Sequence, residues 1–479
     1  MGAGVVQYSG KIKKTEARMS FIRKFIGDRK FYRTVLGVAV PMMIQNGITN
    51  LVNLLDNVMV GTLSTEAMSG VSIVNQFIFI FNLMVFGAVS AAGIFTAQYH
   101  GLGDNEGVRY TFRFKFIVTA ASGFLSVLIF GLFDEQLIGT FLHAGSVEGD
   151  LALTLMHGQE YLLIMLAGLI PYAIAQAYAS TMRETGETVV PMMASAAAVF
   201  TNFVLNCLLI FGLLGFPALG VRGAAIATVA SRSVELGILL LWGYRHPGRC
   251  SYLVGALHSL YLPRSLFGRI TVKGLPLMLN EVFWAMAITF RNQCYSTRGL
   301  DVVAAQNIST TIVNLFSVVY MALGGAIAIV VGNELGAGKL EKARDTARKM
   351  MAFSIFCACA MALVLIVTST LFPRLYRTTD EVRALAAYMI VVSAALLPFC
   401  AYAHAAYFTL RSGGKVAITL LFDSVYMWVL VAPLVWLLSR FTPMNIHWLF
   451  LAGQSVEIVK CMFGYILLSR TNWAKQLVG

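Results

Sequence analysis

The sequence predicts an all-α polytopic membrane protein with twelve transmembrane helices in two pseudo-symmetric six-helix lobes. Composition, evenly recurring apolar stretches and an internal repeat each point to this class. Of 479 residues, 58% are hydrophobic and only 12% are charged, with a mean hydropathy of +0.74. A soluble domain carries about 25% charged residues. This chain has too little polar surface to fold as a large globule in water.

Apolar stretches long enough to cross the hydrocarbon, about 20 residues each, fall at 35–58, 71–98, 112–132, 159–181, 189–211, 222–243, 275–295, 308–332, 350–371, 385–408, 416–438 and 447–468. The short alternating segments of a membrane barrel are absent from this pattern. Positive charge gives the sidedness. Nine Lys or Arg precede the first stretch, and the even-to-odd connections and the C-terminus carry three (Arg109, Arg113 and Lys115), one, five, five, two and two more. The opposite connections carry none, none, one, two, three and one. The connection after the third stretch holds Asp134, Glu135, Glu148 and Asp150 with no Lys or Arg. Both termini are therefore expected in the cytoplasm and the chain in a cytoplasmic or inner membrane. The basic segment 1–30 suits anionic lipid beside a first span better than nucleic acid, which is not an expected partner.

The repeat sets the organisation. TAQYHGLGDNEGVRYTFR at 96–113 and VGNELGAGKLEKARDTAR at 331–348 share an offset of 235, which pairs Gly101 with Gly336, Gly103 with Gly338 and Arg109 with Arg344. The same offset takes Pro41 to Pro276, and an offset of 227 pairs Pro171 with Pro398 and Gly186 with Gly413. Two halves of six spans are parallel copies about an axis along the membrane normal. The expected division is an N-lobe at 31–245, a cytoplasmic linker at 246–274, a C-lobe at 275–470 and a cytoplasmic tail at 471–479.

Acids inside spans are costly and mark function by default. Glu281 follows Pro276 in the seventh span, beside Asn280, where it serves ion coupling, substrate binding or a structural polar contact. Asp56, with Asn53, offers oxygen ligands for Na⁺ or a proton near the end of the first span. Asp423 lies among aromatic residues in the eleventh span, suited to a cationic substrate or to a water shared with Glu281. Arg232 with Glu235 and Glu457 with Lys460 stand three apart, a spacing that pairs opposite charges on one helix face. Asn202 and Asn206, four apart, and Gln45 with Asn46 either ligate an ion or drug or join helices. His404 is a titratable candidate in the tenth span, and Tyr172 and Gln176 are candidate cavity-lining residues. No nucleotide loop or metal-ligand cluster is present, the seven cysteines show no ligand spacing, and neither an enzyme nor a cofactor is expected.

The segments PMMIQNGITNLVNLLDNVMVG, AQYHGLGD and GNELGAGK, with the R-x-x-G loop after the fourth span, resemble the multidrug and toxic compound extrusion (MATE) family over about residues 30–470. The resemblance implies two lobes around a V-shaped cavity and export of organic cations or amphiphilic drugs by antiport with H⁺ or Na⁺, with no cofactor. It implies that Glu281 is the C-lobe coupling acid, Asp56 the N-lobe acid and Asn202 an amide of the N-lobe site, which makes Asp56, Asn202 and Glu281 the candidate Na⁺ ligands. Asn206 stands where some members have an Asp, and the tenth span lacks the acid some members place opposite Glu281. Asp423 or His404 is the available substitute. A monomer in contact with membrane lipids and a small organic substrate is expected. A lipid-linked or polysaccharide flippase of the same superfamily is the alternative, resting on Arg232 and Lys460.

Overall fold

The computed structural model describes residues 24–141 and 150–479, with the side chains of 52–55, 57, 58 and 65 left aside. Most of the basic segment 1–30, the acid Glu148 and the side chain of Asn53 lie outside the described residues. Among those described, twelve long helices follow in order: α1 (Arg29–Gly61), α2 (Thr65–Leu102), α3 (Asn105–Leu132), α4 (Leu151–Glu184), α5 (Val189–Phe211), α6 (Val221–Arg245), α7 (Arg264–Ser296), α8 (Leu300–Gly336), α9 (Leu340–Thr368), α10 (Asp380–Ser412), α11 (Val416–Phe441) and α12 (Ile446–Arg470). Ten of them, all but α1 and α7, are long and apolar enough to cross a membrane. The twelve fall on the twelve expected stretches. Most run beyond the apolar limits, because a helix continues past the hydrocarbon wherever a polar residue closes its end.

Those closures are legible residue by residue. The Ser64 hydroxyl accepts from the Ala67 N–H at the start of α2, and Asp104 accepts from Glu106 and Gly107 at the start of α3. Asp150, Thr379 and Asn445 do the same for α4, α10 and α12. Each satisfies N–H groups that a helix start leaves without partners. Asp104→Ala is expected to cost about 1 kcal/mol, read as a lower unfolding midpoint in detergent.

The chain divides into two compact units. The N-terminal unit is Pro41–Met286, and the C-terminal unit joins the described residues up to Val40 to Ala287–Leu477. The divisions fall inside α1 and α7. In the N-terminal unit α2 packs on α3 and α4, α4 on α3 and α6, and α5 on α6. In the C-terminal unit α8 packs on α9 and α10, and α10 on α9 and α12. The shared pairing is the three-dimensional form of the repeat. Small residues permit the close crossings: a Cβ on Gly70 of α2 would lie 2.8 Å from the backbone nitrogen of Gly158 in α4, and apposed glycines let membrane helices approach backbone to backbone.

Turn geometry repeats as well. Gly103 and Gly338, at the 235 offset, take φ of +83° and +71°, a left-handed conformation that closes a helix and favours glycine. In the second echo Gly186 takes φ of +90°, and its partner by conformation is Gly414 at +71°, not Gly413. Gly413 is needed for space: its φ is −83°, but a Cβ there would strike the Trp473 carbonyl.

That contact belongs to a pair of straps. After α6, the residues before α7 fold back on α3. Arg109 donates to the carbonyls of Tyr252 (3.3 Å) and Ser251 (3.5 Å), and Arg113 to those of Ala256 (2.7 Å) and Tyr261 (3.1 Å). Cys250, Tyr252, Leu253 and Ala256 are buried in a core shared with α3, α4 and α6. Burial pushes the Tyr252 phenol well above its ordinary value, so it remains a neutral donor. The interval 246–274 is thus a packed strap followed by the first turns of α7, which begins at Arg264. After α12 the same device recurs: Arg344 donates to Asn472 at 3.1 Å, Gln476 to the Gly336 carbonyl at 3.0 Å, and Trp473 is buried. Gly413→Ala is expected to detach this second strap, seen as faster proteolysis beyond Arg470 than in the unaltered protein.

Candidate functional site

The N-terminal unit gathers several of the expected residues. Asn202 and Asn206, four apart on α5, lie on one helix face and are 4% and 1% exposed. The Asn206 amide nitrogen donates to Asp56 Oδ1 of α1 at 2.6 Å and to Asn202 Oδ1 at 3.1 Å. Asn202 in turn donates to the Thr228 hydroxyl of α6 at 3.3 Å, and Thr228 donates to the Ala224 carbonyl at 3.0 Å. Three helices meet on these four side chains. Asn206 Oδ1 is buried with no hydrogen-bond partner. An orphaned buried oxygen costs about 1–3 kcal/mol, and it sits among a carboxylate, an amide and a hydroxyl. Oxygen ligands of this kind suit a hard cation.

The other candidates of this unit are distributed around that cluster. Gln45 donates to the Ser195 hydroxyl of α5 at 2.8 Å, Ser195 donates to Glu235 Oε1 of α6 at 2.6 Å, and Arg183 of α4 donates to Gln45 Oε1 at 3.5 Å. Asn46, the next residue on α1, is exposed. Tyr172 carries the Arg232 guanidinium 5.0 Å above its ring and lies 6.1 Å from Phe81, with Gln176 one turn further along α4 and half-buried. Glu281 is half-buried on α7, one turn beyond Pro276, and Asn280 is 1% exposed. Neighbours on a helix leave it about 100° apart, so the two address different surroundings.

In the C-terminal unit Asp423 is already matched by a cation. Lys460 of α12 reaches Asp423 Oδ1 at 2.7 Å, with side-chain exposures of 9% and 17%. The spacing that pairs Lys460 with Glu457 is thus superseded by a contact across to α11, and Lys460 also lies 5.5 Å over the Phe422 ring. Here α11 widens into two π-helical stretches, Leu421–Val425 and Met427–Val431, a backbone form often found at functional positions. Arg232 likewise forms no ion pair with Glu235 among the described residues; its guanidinium donates to the Gly168 carbonyl at 3.5 Å. His404 packs edge-on against Tyr320 (5.4 Å) and Phe408 (4.9 Å).

Sequence reasoning missed Thr228 and Ser195, whose hydroxyls look like ordinary helix residues in the chain. It also placed Lys115 in a connection. Lys115 is fully buried in α3, donating to Thr181 at 3.1 Å and to Glu184. The signal was its setting, between Phe114 and Phe116, Ile117 and Val118, which no solvated lysine needs.

Twelve long helices in two repeating sets, ten of them apolar enough to cross a membrane, with a half-buried carboxylate and buried amides inside one set, make this a polytopic membrane protein of the transporter class. The chain belongs to the MatE family, whose model matches residues 41–208 and 276–437, one stretch in each half. It is similar to the probable multidrug resistance protein NorM of Thermotoga maritima, 21% identical over 453 residues, covering 93% of this chain and 94% of that one. It is 26% identical over 366 residues to the multidrug resistance protein PmpM of Pseudomonas aeruginosa, covering 76% and 74%. Among solved structures it shares its fold with an outward-facing multidrug resistance MATE family transporter, at a TM-score of 0.82, 19% identity and coverages of 93% and 97%. The bent form of the Vibrio cholerae MATE transporter VcmN matches at a TM-score of 0.81, 20% identity and coverages of 92% and 97%.

Proposed function

We propose that this protein is a secondary active exporter of organic cations or amphiphilic drugs, driven by antiport with H⁺ or Na⁺ through alternating access between its lobes. The observation that carries the ion side of this reading is the Asp56–Asn206–Asn202–Thr228 cluster. It holds a carboxylate beside a buried amide oxygen without a partner. A cation entering there satisfies that oxygen and matches the charge of Asp56; a proton on Asp56 removes the charge instead. Glu281 is the acid of the second coupling and substrate-contact site. The names of the relatives support drug-like substrates. The charge asymmetry of the connections supports cytoplasmic termini and insertion in the cytoplasmic or inner membrane. Neither cation that would favour a lipid-linked or polysaccharide substrate is idle: Lys460 pairs with Asp423, and Arg232 stacks on Tyr172.

Cells expressing the protein should accumulate less of several unrelated cationic dyes than cells without it. Asp56→Asn should lower that export about tenfold or more, equivalent to ~1.4 kcal/mol of lost coupling, at an unchanged level in the membrane. Dye accumulation identical with and without the protein contradicts the reading.

A further inference from the structure

We propose that Glu235 is a proton-binding residue of the N-terminal unit that acts through Ser195 on Gln45 of α1. The starting observation is the direction of a hydrogen-bond chain. Arg183 donates to Gln45 Oε1, Gln45 Nε2 donates to Ser195 Oγ, and Ser195 donates to Glu235 Oε1. Every donor points toward the carboxylate. An ionised carboxylate only accepts, whereas a hydroxyl both donates and accepts and an amide has one end of each kind. The chain therefore carries the polarity that an ionised Glu235 imposes.

A proton on Glu235 Oε1, the oxygen that Ser195 faces, reverses it. The new O–H donates to Ser195 Oγ, and the single Ser195 hydrogen is released to turn toward Gln45. Gln45 must then present its oxygen to Ser195, which withdraws that oxygen from Arg183. One proton is thus converted into a rearrangement on α1 by rotating a hydroxyl and an amide, with no bond made or broken besides the O–H.

The surroundings fit a proton site better than a metal site. Glu235 is 8% exposed, and its Oε1 already accepts from Ser195, in contrast to the partnerless amide oxygen of Asn206. The charged or titratable groups facing it are Arg183 and Tyr172 from α4 and Arg232 from its own helix. Ser195 of α5 and Gln45 of α1 are uncharged. Neither arginine lies within ion-pair distance of Glu235 among the described residues, since Arg232 is held by Tyr172 and Gly168. Their charge balances the carboxylate without occupying it.

The chain also has a place in the architecture. Gln45 meets Ser195 and Asp56 meets Asn206, each pair 150 residues apart in sequence. Helices α1 and α5 therefore run parallel and in register. The two contacts are eleven residues apart along each helix, three turns or about 16 Å. Two acids, Asp56 and Glu235, thus address the two ends of one α1–α5 seam.

The test is infrared difference spectroscopy of the purified full-length protein, titrated from alkaline to acidic buffer in H₂O and D₂O. Equilibrium protonation is read, so the result is independent of which ion drives export. Acidification should produce a protonated-carboxyl C=O band that is missing in Glu235→Gln and keeps its amplitude but moves to higher frequency in Ser195→Ala, where the hydroxyl partner is gone. The wild type should also show a side-chain amide change that disappears in both Gln45→Ala and Ser195→Ala. A carboxyl band undiminished in Glu235→Gln overturns the proposal. So does a band whose frequency ignores Ser195→Ala, or an amide change that persists without Ser195.

Discussion

Glu281→Gln is expected to reach the membrane at the level of the unaltered protein and to export dye at least about 100-fold more slowly, a loss of ~2.7 kcal/mol. The substitution keeps size and hydrogen-bonding capacity while removing the ability to ionise. It therefore separates a working acid from a structural contact. Glu281 is half-buried on α7, one turn past Pro276, and an acid held at such a position in a span is costly unless charge is part of its task. Dye accumulation and membrane abundance measured in the same cells give the answer. Full resistance to several dyes in this variant would remove Glu281 from the mechanism.

Lys460→Met should have the largest effect on stability. It strips the Lys460 cation from Asp423, whose side chain is 17% exposed, in a π-helical stretch of α11. Removing one partner of a buried pair costs about 3–5 kcal/mol, because the remaining charge is left uncompensated. Thermal unfolding in detergent should show it as a large fall in midpoint. Adding Asp423→Asn to the same chain should recover most of the loss, since a neutral amide needs no counter-charge. A single variant as stable as the unaltered protein would mean that the pair contributes nothing to holding α11 against α12.

The twelve spans were legible because a bilayer imposes about 20 apolar residues on every crossing, and α5 ends where its apolar run ends. The longer reach of the other helices was legible only through caps such as Ser64 and Asp104, which act locally and carry little hydropathy. The repeat was visible in its glycines and arginines, yet the chain alone could not separate Gly413 from Gly414. One is glycine for space and the other for its left-handed turn, and only the packed Trp473 distinguishes them. The candidate site divides in the same way. Asp56, Asn202 and Asn206 were readable as polar residues in apolar runs, and Asn202 and Asn206 by their spacing. The partners of Lys460, Gln45 and Lys115 were not, because each contact crosses between helices at separations that helical periodicity does not encode. The straps after α6 and α12 were hidden for a related reason. Short segments with mixed composition look like connections until Arg109 and Arg113 are seen holding the carbonyls of the first and Arg344 and Gln476 anchoring the second.

Under the proposed antiport, outward movement of an organic cation is driven by inward movement of H⁺ or Na⁺. The most direct measurement is dye transport by the purified protein in proteoliposomes, with pH and Na⁺ gradients imposed separately. Transport should accelerate under at least one of the two gradients, collapse when that gradient is dissipated, and be lost in Glu281→Gln. Dye movement at the same rate with both gradients, with either one and with none would contradict the account.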